Sequence, residues 1–259
     1  MSFAQILATA EPLEGGFALD IPDRWKQGRT AYGGFSSALA HECARRLAPD
    51  MPPLRSAQVA FVGPVAGRAE FRARILRRGR NASWVEVQAA CDGAVAYSAT
   101  FVFMGPVESA LHLHDVPLPA GITPVGQASD FASRMGPSFI AGNFEVRFAK
   151  PRPAAPMPEV CWWVRVGERD GLDPMTETLL VADALPPGVL PMLGARVPVS
   201  SMTWQANYLT AAPATQDGWW LLQSVGDYAE KGCSSQRMAM WNAAGEAVIS
   251  GMQSVALFG

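Results

Sequence analysis

Cysteine and histidine are scarce in this chain, and their scarcity narrows the chemistry open to it. The four cysteines, Cys43, Cys91, Cys161 and Cys233, stand far apart, with none of the paired spacing that holds zinc. The first three lie in apolar or strand-like surroundings and read as buried thiols rather than disulfides. Of the three histidines, His41 followed by Glu42 begins like a metalloprotease helix, but Arg45 stands where the second ligand belongs. His112 and His114 alternate without further ligands nearby, so no metal is expected. There is no Gly-x-Ser-x-Gly elbow, which excludes the usual α/β serine hydrolase. A phosphate-binding P-loop and a dinucleotide fingerprint are also missing. No apolar run is long enough to cross a bilayer, and residues 1–16 lack the basic and apolar segments of a secretory leader. The expectation is a cytoplasmic chain that does not enter membranes. Lysine and arginine number 21 against 23 acidic residues, a net charge of −2. That balance gives no general affinity for nucleic acid, and an anionic ligand would need a local cluster of positive charge.

What the chain does contain is one structural pattern written twice. Gly33 and Gly34 open an apolar stretch of helical length over 35–47, with Leu39, Ala40, Cys43, Ala44 and Leu47 on one face. Arg45 and Arg46 suit the last turn, and Pro49 prevents its continuation. Strand-like runs follow at 54–62, 69–76, 83–91 and 94–103. The clearest alternates apolar and charged residues from Ala69 to Ile75. Short turns at Gly79-Arg80-Asn81 and Asp92-Gly93 make neighbouring runs antiparallel. The second half repeats the order: a helix over 174–185, then strands at 197–209, 219–225, 234–241 and 246–258. Two small α+β units are therefore expected at 1–105 and 141–259, joined by a Pro- and Gly-bearing linker over 106–140. The proline-rich stretch 151–158 reads as a surface loop within the second unit.

Several motifs occur in an order that resembles the acyl-CoA thioesterase II family and its thioesterase-like relatives. In the first half these are Gly33-Gly34, Ser56, Phe61 and the run from Arg77 to Asn81. In the second they are Ala182-Asp183-Ala184-Leu185-Pro186-Pro187, Trp204 to Leu209, and Trp241 to Gly245 leading to Gln253. The resemblance implies a double hotdog: two tandem units, each an antiparallel sheet wrapped around a central helix. It also implies an acyl-CoA or similar acyl thioester as substrate, a homodimer, and no cofactor or metal. The family's site looks like an aspartate, a threonine and a glutamine that activate a water. Carried onto this sequence, the glutamine falls on Gln253, the aspartate on Ser201 and the threonine near Tyr228, with Asp227 beside it. Serine does not ionise near neutral pH and cannot replace a carboxylate as base. Asp227 and Asp183 are the carboxylates placed to substitute.

Each candidate has a second reading. Gln253 sits in an otherwise apolar register, so its amide meets either a ligand or a core partner; unpaired, it would cost about 1–3 kcal/mol. Gly33 and Gly34 either offer N–H groups to a thioester carbonyl oxygen or only form a tight turn. Ser201 alternates with Thr203, Gln205 and Asn207, a polar row that lines a cleft or faces solvent. Tyr228 either donates a hydrogen bond or ends a strand. Arg78 and Arg80, with Arg77, either contact coenzyme A phosphates or are solvated hairpin charge. His41 reads as a core histidine. It is also the sole candidate for a hotdog hydratase or dehydratase, while the losses at Ser201 and Tyr228 leave open a catalytically weak or inactive acyl-CoA binding protein that retains the pocket.

Overall fold

The computed structural model describes residues 1–130, 138–194 and 197–258. Part of the expected linker, 131–137, and the final residue of the expected second unit lie outside them. In the first half, α1 (Phe3–Ala8) precedes strands β1 (Glu11–Leu13) and β2 (Gly16–Asp20) and a small ladder of β3 (Lys26–Gln27) with β4 (Thr30–Ala31). Helix α2 (Gly33–Leu47) follows, then β5 (Leu54–Phe61), β6 (Arg68–Arg78), β7 (Ala82–Cys91) and β8 (Ala94–Met104). The second half contains β9 (Ser129–Asp130), α3 (Ser138–Asn143), β10 (Phe144–Phe148), β11 (Glu159–Val166) and α4 (Pro174–Ala182). It ends with β12 (Val199–Tyr208), β13 (Trp220–Glu230), β14 (Cys233–Asn242) and β15 (Ala247–Leu257).

Apart from the β3–β4 ladder, the described strands form one 13-stranded antiparallel sheet, ordered β1-β2-β6-β7-β8-β5-β12-β15-β14-β13-β11-β10-β9. Reading outward from the β5–β12 seam, each half repeats the same sequence of connections: the strand after the helix, then the last, third and second strands of the meander. Beyond these comes the strand that precedes the helix, β2 on one side and β11 on the other. The double hotdog therefore has a pseudo-dyad at the seam, where Gln58 faces Gln205 and Ala57 faces Ala206.

Helices α2 and α4 lie side by side on the concave face, and both are buried over most of their length. They run antiparallel. Tyr32, the N-cap of α2, donates its hydroxyl to Leu180 O in the last turn of α4 at 2.9 Å. Further along α2, His41 meets Thr176 at 2.9 Å, and Arg45 approaches Asp173, the N-cap of α4, at 3.5 Å. Pro174 at the first turn and the Asp173 carboxylate, which accepts from the Met175 and Thr176 N–H groups, start α4 cleanly.

His41 is a core residue. Its ring packs near Phe101 and Phe103, and burial drives its pKa down to about 3, so it is neutral. Thr176 Oγ1 donates its one proton to Glu42 at 2.7 Å, so the His41 Nδ1 must carry the hydrogen of their mutual bond.

On the convex face, residues of the expected linker cover the second half. Val116, Ile122, Val125 and Ala128 pack against a cluster containing Trp163, Trp219 and Trp241. Two indoles are satisfied there: Trp241 Nε1 donates to Val116 O at 3.1 Å and Trp163 Nε1 to Thr123 O at 2.9 Å. The 151–158 stretch connects β10 to β11 and is exposed over nearly all its length.

One register detail overturns the polar row expected on β12. Ser201 pairs with Val255, yet Thr203 pairs with Ser254, so Met202 is a bulge residue. One extra residue reverses facing. Ser201 therefore shares the inward side of Val255 and Gln253, whereas Thr203, Gln205 and Asn207 face outward.

Candidate active site

Gln253 lies in the middle of β15, 3% exposed, with Trp204 opposite on β12 and Gln236 opposite on β14. Strand neighbours opposite one another hold their side chains on one face, so the two glutamines meet above the sheet. Gln236 Nε2 donates to Gln253 Oε1 at 2.8 Å, and Gln253 Nε2 donates to Asp183 Oδ1 at 2.8 Å. Gln236 Oε1 in turn accepts the Gly188 N–H at 2.8 Å.

Asp183 stands immediately after α4, where the helix stops ahead of Pro186 and Pro187. The antiparallel helix pairing brings it to the N-terminus of α2, where the Gly34 N–H also donates to its carboxyl group. Protein packed around Asp183 raises its pKa from 3.8 to about 7, and the Gln253 and Gly34 donors pull the other way. Asp183 is a partly buried residue, while Gln253 and Gln236 are buried. The site thus has a carboxyl group poised near neutrality, with a fixed amide on one side and a helix N-terminus on the other.

The glycines at that terminus are required by space rather than by backbone conformation. A Cβ on Gly33 would lie 2.5 Å from Asp183 Oδ2 and 2.8 Å from the Phe61 ring. On Gly34 it would lie 2.6 Å from the Tyr32 hydroxyl oxygen and 2.7 Å from Leu180 O. Phe61 leans edge-on against Tyr97, with ring centroids 5.9 Å apart. The Tyr97 hydroxyl donates to Ser37 Oγ at 3.0 Å, and Ser37 donates to Gly33 O at 2.9 Å. An aromatic wall from the first half thus flanks a carboxyl group from the second.

Residues 21–104 match the acyl-CoA thioesterase N-terminal domain and residues 119–257 the acyl-CoA thioesterase C-terminal domain. The chain belongs to the acyl-CoA thioesterase family. Its fold is similar to that of a hot dog protein of unknown function from Alicyclobacillus acidocaldarius, at 17% identity, TM-score 0.86, and 100% and 99% coverage of the two chains. It is also similar to an acyl-CoA thioesterase II, TesB2, from Mycobacterium marinum, at 18% identity, TM-score 0.78, and 100% and 99% coverage. A tesB protein from Mycobacterium avium subs paratuberculosis matches at 20% identity and TM-score 0.78, with 100% of each chain covered. Among curated proteins there is no match.

Of the residues expected at the site, Gln253, Gly33 and Gly34 converge on Asp183. Ser201 is half-buried on the same inward side of the sheet as Gln253, beyond the bulge. The others are elsewhere. Asp227 receives both carboxylate contacts of an ion pair with Arg237 at 3.0 Å, on the surface. Tyr228 is 50% exposed, and its hydroxyl donates to Glu230 at 3.3 Å. Arg78 pairs with Asp50, just past the C-terminal end of α2, and Arg80 is exposed at the adjacent hairpin. That hairpin is at the opposite end of α2 from Gly33 and Gly34. The Gly34 N–H, expected to face a thioester carbonyl, is directed at Asp183 instead. Gln236 was missed by the sequence reading, although its signal was the one that singled out Gln253: an amide in register with buried Ser234, Met238 and Met240.

Among the described residues the arrangement does not recur across the pseudo-dyad. Counting equally from the N-caps Tyr32 and Asp173, Glu42 is the counterpart of Asp183. Glu42 is already engaged by Arg45 at 2.9 Å and Thr176, in the neighbourhood of His41 and its phenylalanines. No amide meets it there among the described residues.

Proposed function

We propose that this chain hydrolyses an acyl-CoA, or a similar acyl thioester, with Asp183 as general base and without a covalent intermediate. The observation that carries the reading is the Gln253–Asp183 hydrogen bond at the N-terminus of α2. An ionised Asp183 takes a proton from water as that water attacks the thioester carbon. Gln253 keeps the carboxylate oriented, and the thioester oxygen lies toward the N-terminal turn of α2, whose first N–H groups have no partner within the helix. The departing thiolate leaves as coenzyme A after protonation. Asp183 supplies the carboxylate that Ser201 cannot, which favours an enzyme over a silent acyl-CoA binder. The buried, neutral His41 offers no support for a hydratase.

The test is thiol release over a panel of acyl-CoA substrates. Asp183→Asn should lower kcat at least ~100-fold, in line with loss of a positioned base, while Gln253→Ala should lower it by ~10-fold or more with bound substrate retained. Full activity in a folded Asp183→Asn variant would remove Asp183 from the mechanism. Absence of turnover by the native chain across the panel would favour the binding protein. We further propose that the chain works as a homodimer, which its mass in solution decides.

A further inference from the structure

The amide of Gln253 can face Asp183 in either of two ways, and only one of them helps a base. With its NH2 toward the carboxyl, it stabilises the charged form; with its carbonyl there, it demands a proton on Asp183. Something must choose between them. Gln253 itself cannot, because an amide rotated by half a turn occupies almost the same volume.

The choice is traceable to a backbone group. The Gly188 N–H can only donate, so the side chain that receives it must present an oxygen. Gln236 does so through Oε1, which leaves its Nε2 to donate onward to Gln253 Oε1. Gln253 is then left with its Nε2 for Asp183. Gly188 is itself rigidly seated: a Cβ there would lie 2.7 Å from Gly226 N and 2.8 Å from Ser224 O. It belongs to the same short turn, after α4, that carries Asp183. The four residues therefore form a closed circuit, from the Asp183 turn through Gln236 and Gln253 back to Asp183, in which every donor points the same way round. Gln236 is fully buried at 0% exposure, so no solvent competes for its amide.

We propose that Gln236 is a positioning residue: it passes the direction of the Gly188 N–H to Gln253, so that Gln253 presents its NH2 and not its carbonyl to Asp183. This rests on the reading of Asp183 as the base, but its test does not need turnover. Gln236→Met keeps the length of the side chain and removes the relay. Gln236→Glu keeps an acceptor for Gly188 but, once ionised, has no hydrogen to give Gln253, whose NH2 then turns toward the new carboxylate.

The experiment follows the Asp183 carboxyl by carbon-13 NMR in protein labelled at aspartate, with Asp183→Asn to assign the signal. In both Gln236 variants the Asp183 midpoint should rise by about one pH unit or more, a tenfold gain in proton affinity. The kcat profile should move alkaline with it, while KM changes less than ~2-fold, since Gln236 is not placed against substrate. In a Gln253→Ala background, adding Gln236→Met should move the midpoint no further, because the relay is already cut. An unmoved Asp183 midpoint in folded Gln236→Met would overturn the proposal, as would an undiminished shift in the Gln253→Ala background. Should Gln236→Glu fail to fold, Gln236→Met decides. Failure of the native protein to hydrolyse any acyl-CoA would reject the proposed reaction and leave the titration still able to decide the role of Gln236.

Discussion

Burial around Asp183 favours its neutral form, the Gln253 amide and Gly34 N–H favour the charged form, and the balance falls at about 7. The unfolded chain has no such environment, so its Asp183 titrates near 3.8. Between those values the native state holds a proton that the unfolded state has released. Stability from this group is therefore full below about pH 4 and is lost as pH rises toward 7. Replacing Asp183 by asparagine removes the titration. The stability of Asp183→Asn relative to the native chain should accordingly improve by ~2–3 kcal/mol between about pH 4 and pH 8. Any fixed offset from altered hydrogen bonds does not affect that change. Denaturant unfolding of both proteins at several pH values measures it, and parallel stability curves would show that Asp183 is not held near neutrality. At this scale Gln253 was legible because a lone amide in an apolar register is conspicuous. Asp183 was legible as a motif member and as one of two carboxylates able to replace the missing base, but not as the one in place, since that depends on a helix from the other half of the chain. Asp227 and Tyr228 were carried over from the family's threonine position, but β13 carries a register shift between Gly226 and Tyr228, and both side chains meet exposed surface partners there.

Helix α2 carries its part of the site through two residues that are poor helix formers. In an open helix Gly33→Ala would stabilise, by at most about 1 kcal/mol, because glycine forfeits more backbone entropy. Here the new methyl would meet the Asp183 carboxyl and the Phe61 ring at distances real carbons do not adopt. The carboxyl is held by two donors and the ring by Tyr97, so neither yields freely. The expected outcome is the reverse sign: a loss of about 1–3 kcal/mol from overpacking, together with a fall in kcat of ~10-fold or more as Asp183 leaves its alignment. Melting temperature and thiol release on the same sample test both, and a more stable, fully active Gly33→Ala would refute the crowding argument. Helices α2 and α4 and the eight meander strands were readable from the sequence pattern, their ends displaced by a few residues, whereas the short α1 and α3 were not. The strands before each helix were not. β2 is only Gly16–Asp20, and β11, with Cys161, Trp162 and Trp163 in succession, has no polar alternation to disclose its period. The bulge at Met202 was equally hidden, for nothing in the residue types marks where a ladder gains a residue.

At the scale of the whole molecule, the β5–β12 seam makes one body of two repeats. Gly33, Gly34 and Phe61 come from the first and Asp183, Gln236 and Gln253 from the second, so neither half holds the site alone. Joining the repeats edge to edge also leaves the sheet with just two free edges among the described residues, β1 and β9, of three and two residues. Edges this short offer little backbone for strand pairing, so association by continued sheet is disfavoured. The convex face is different. The linker covers it over β11, β13 and β14, but Met252 on β15 is 50% exposed, opposite Gln205, which in turn faces Gln58 across the seam. The other neighbour of Met252 is Arg237, whose charge is already paired with Asp227, so a second copy laid on this face would bury Met252 beside an ion pair and not beside an unpaired ion. The homodimer should therefore form face to face over the seam. Light scattering at micromolar concentration should give about twice the 27.7 kDa chain mass, and Met252→Lys, which puts like charges opposite one another near the dyad, should shift the protein toward monomer. A native chain that runs only as a 27.7 kDa monomer would refute the dimer. A dimer untouched by Met252→Lys would place its interface elsewhere than on this face.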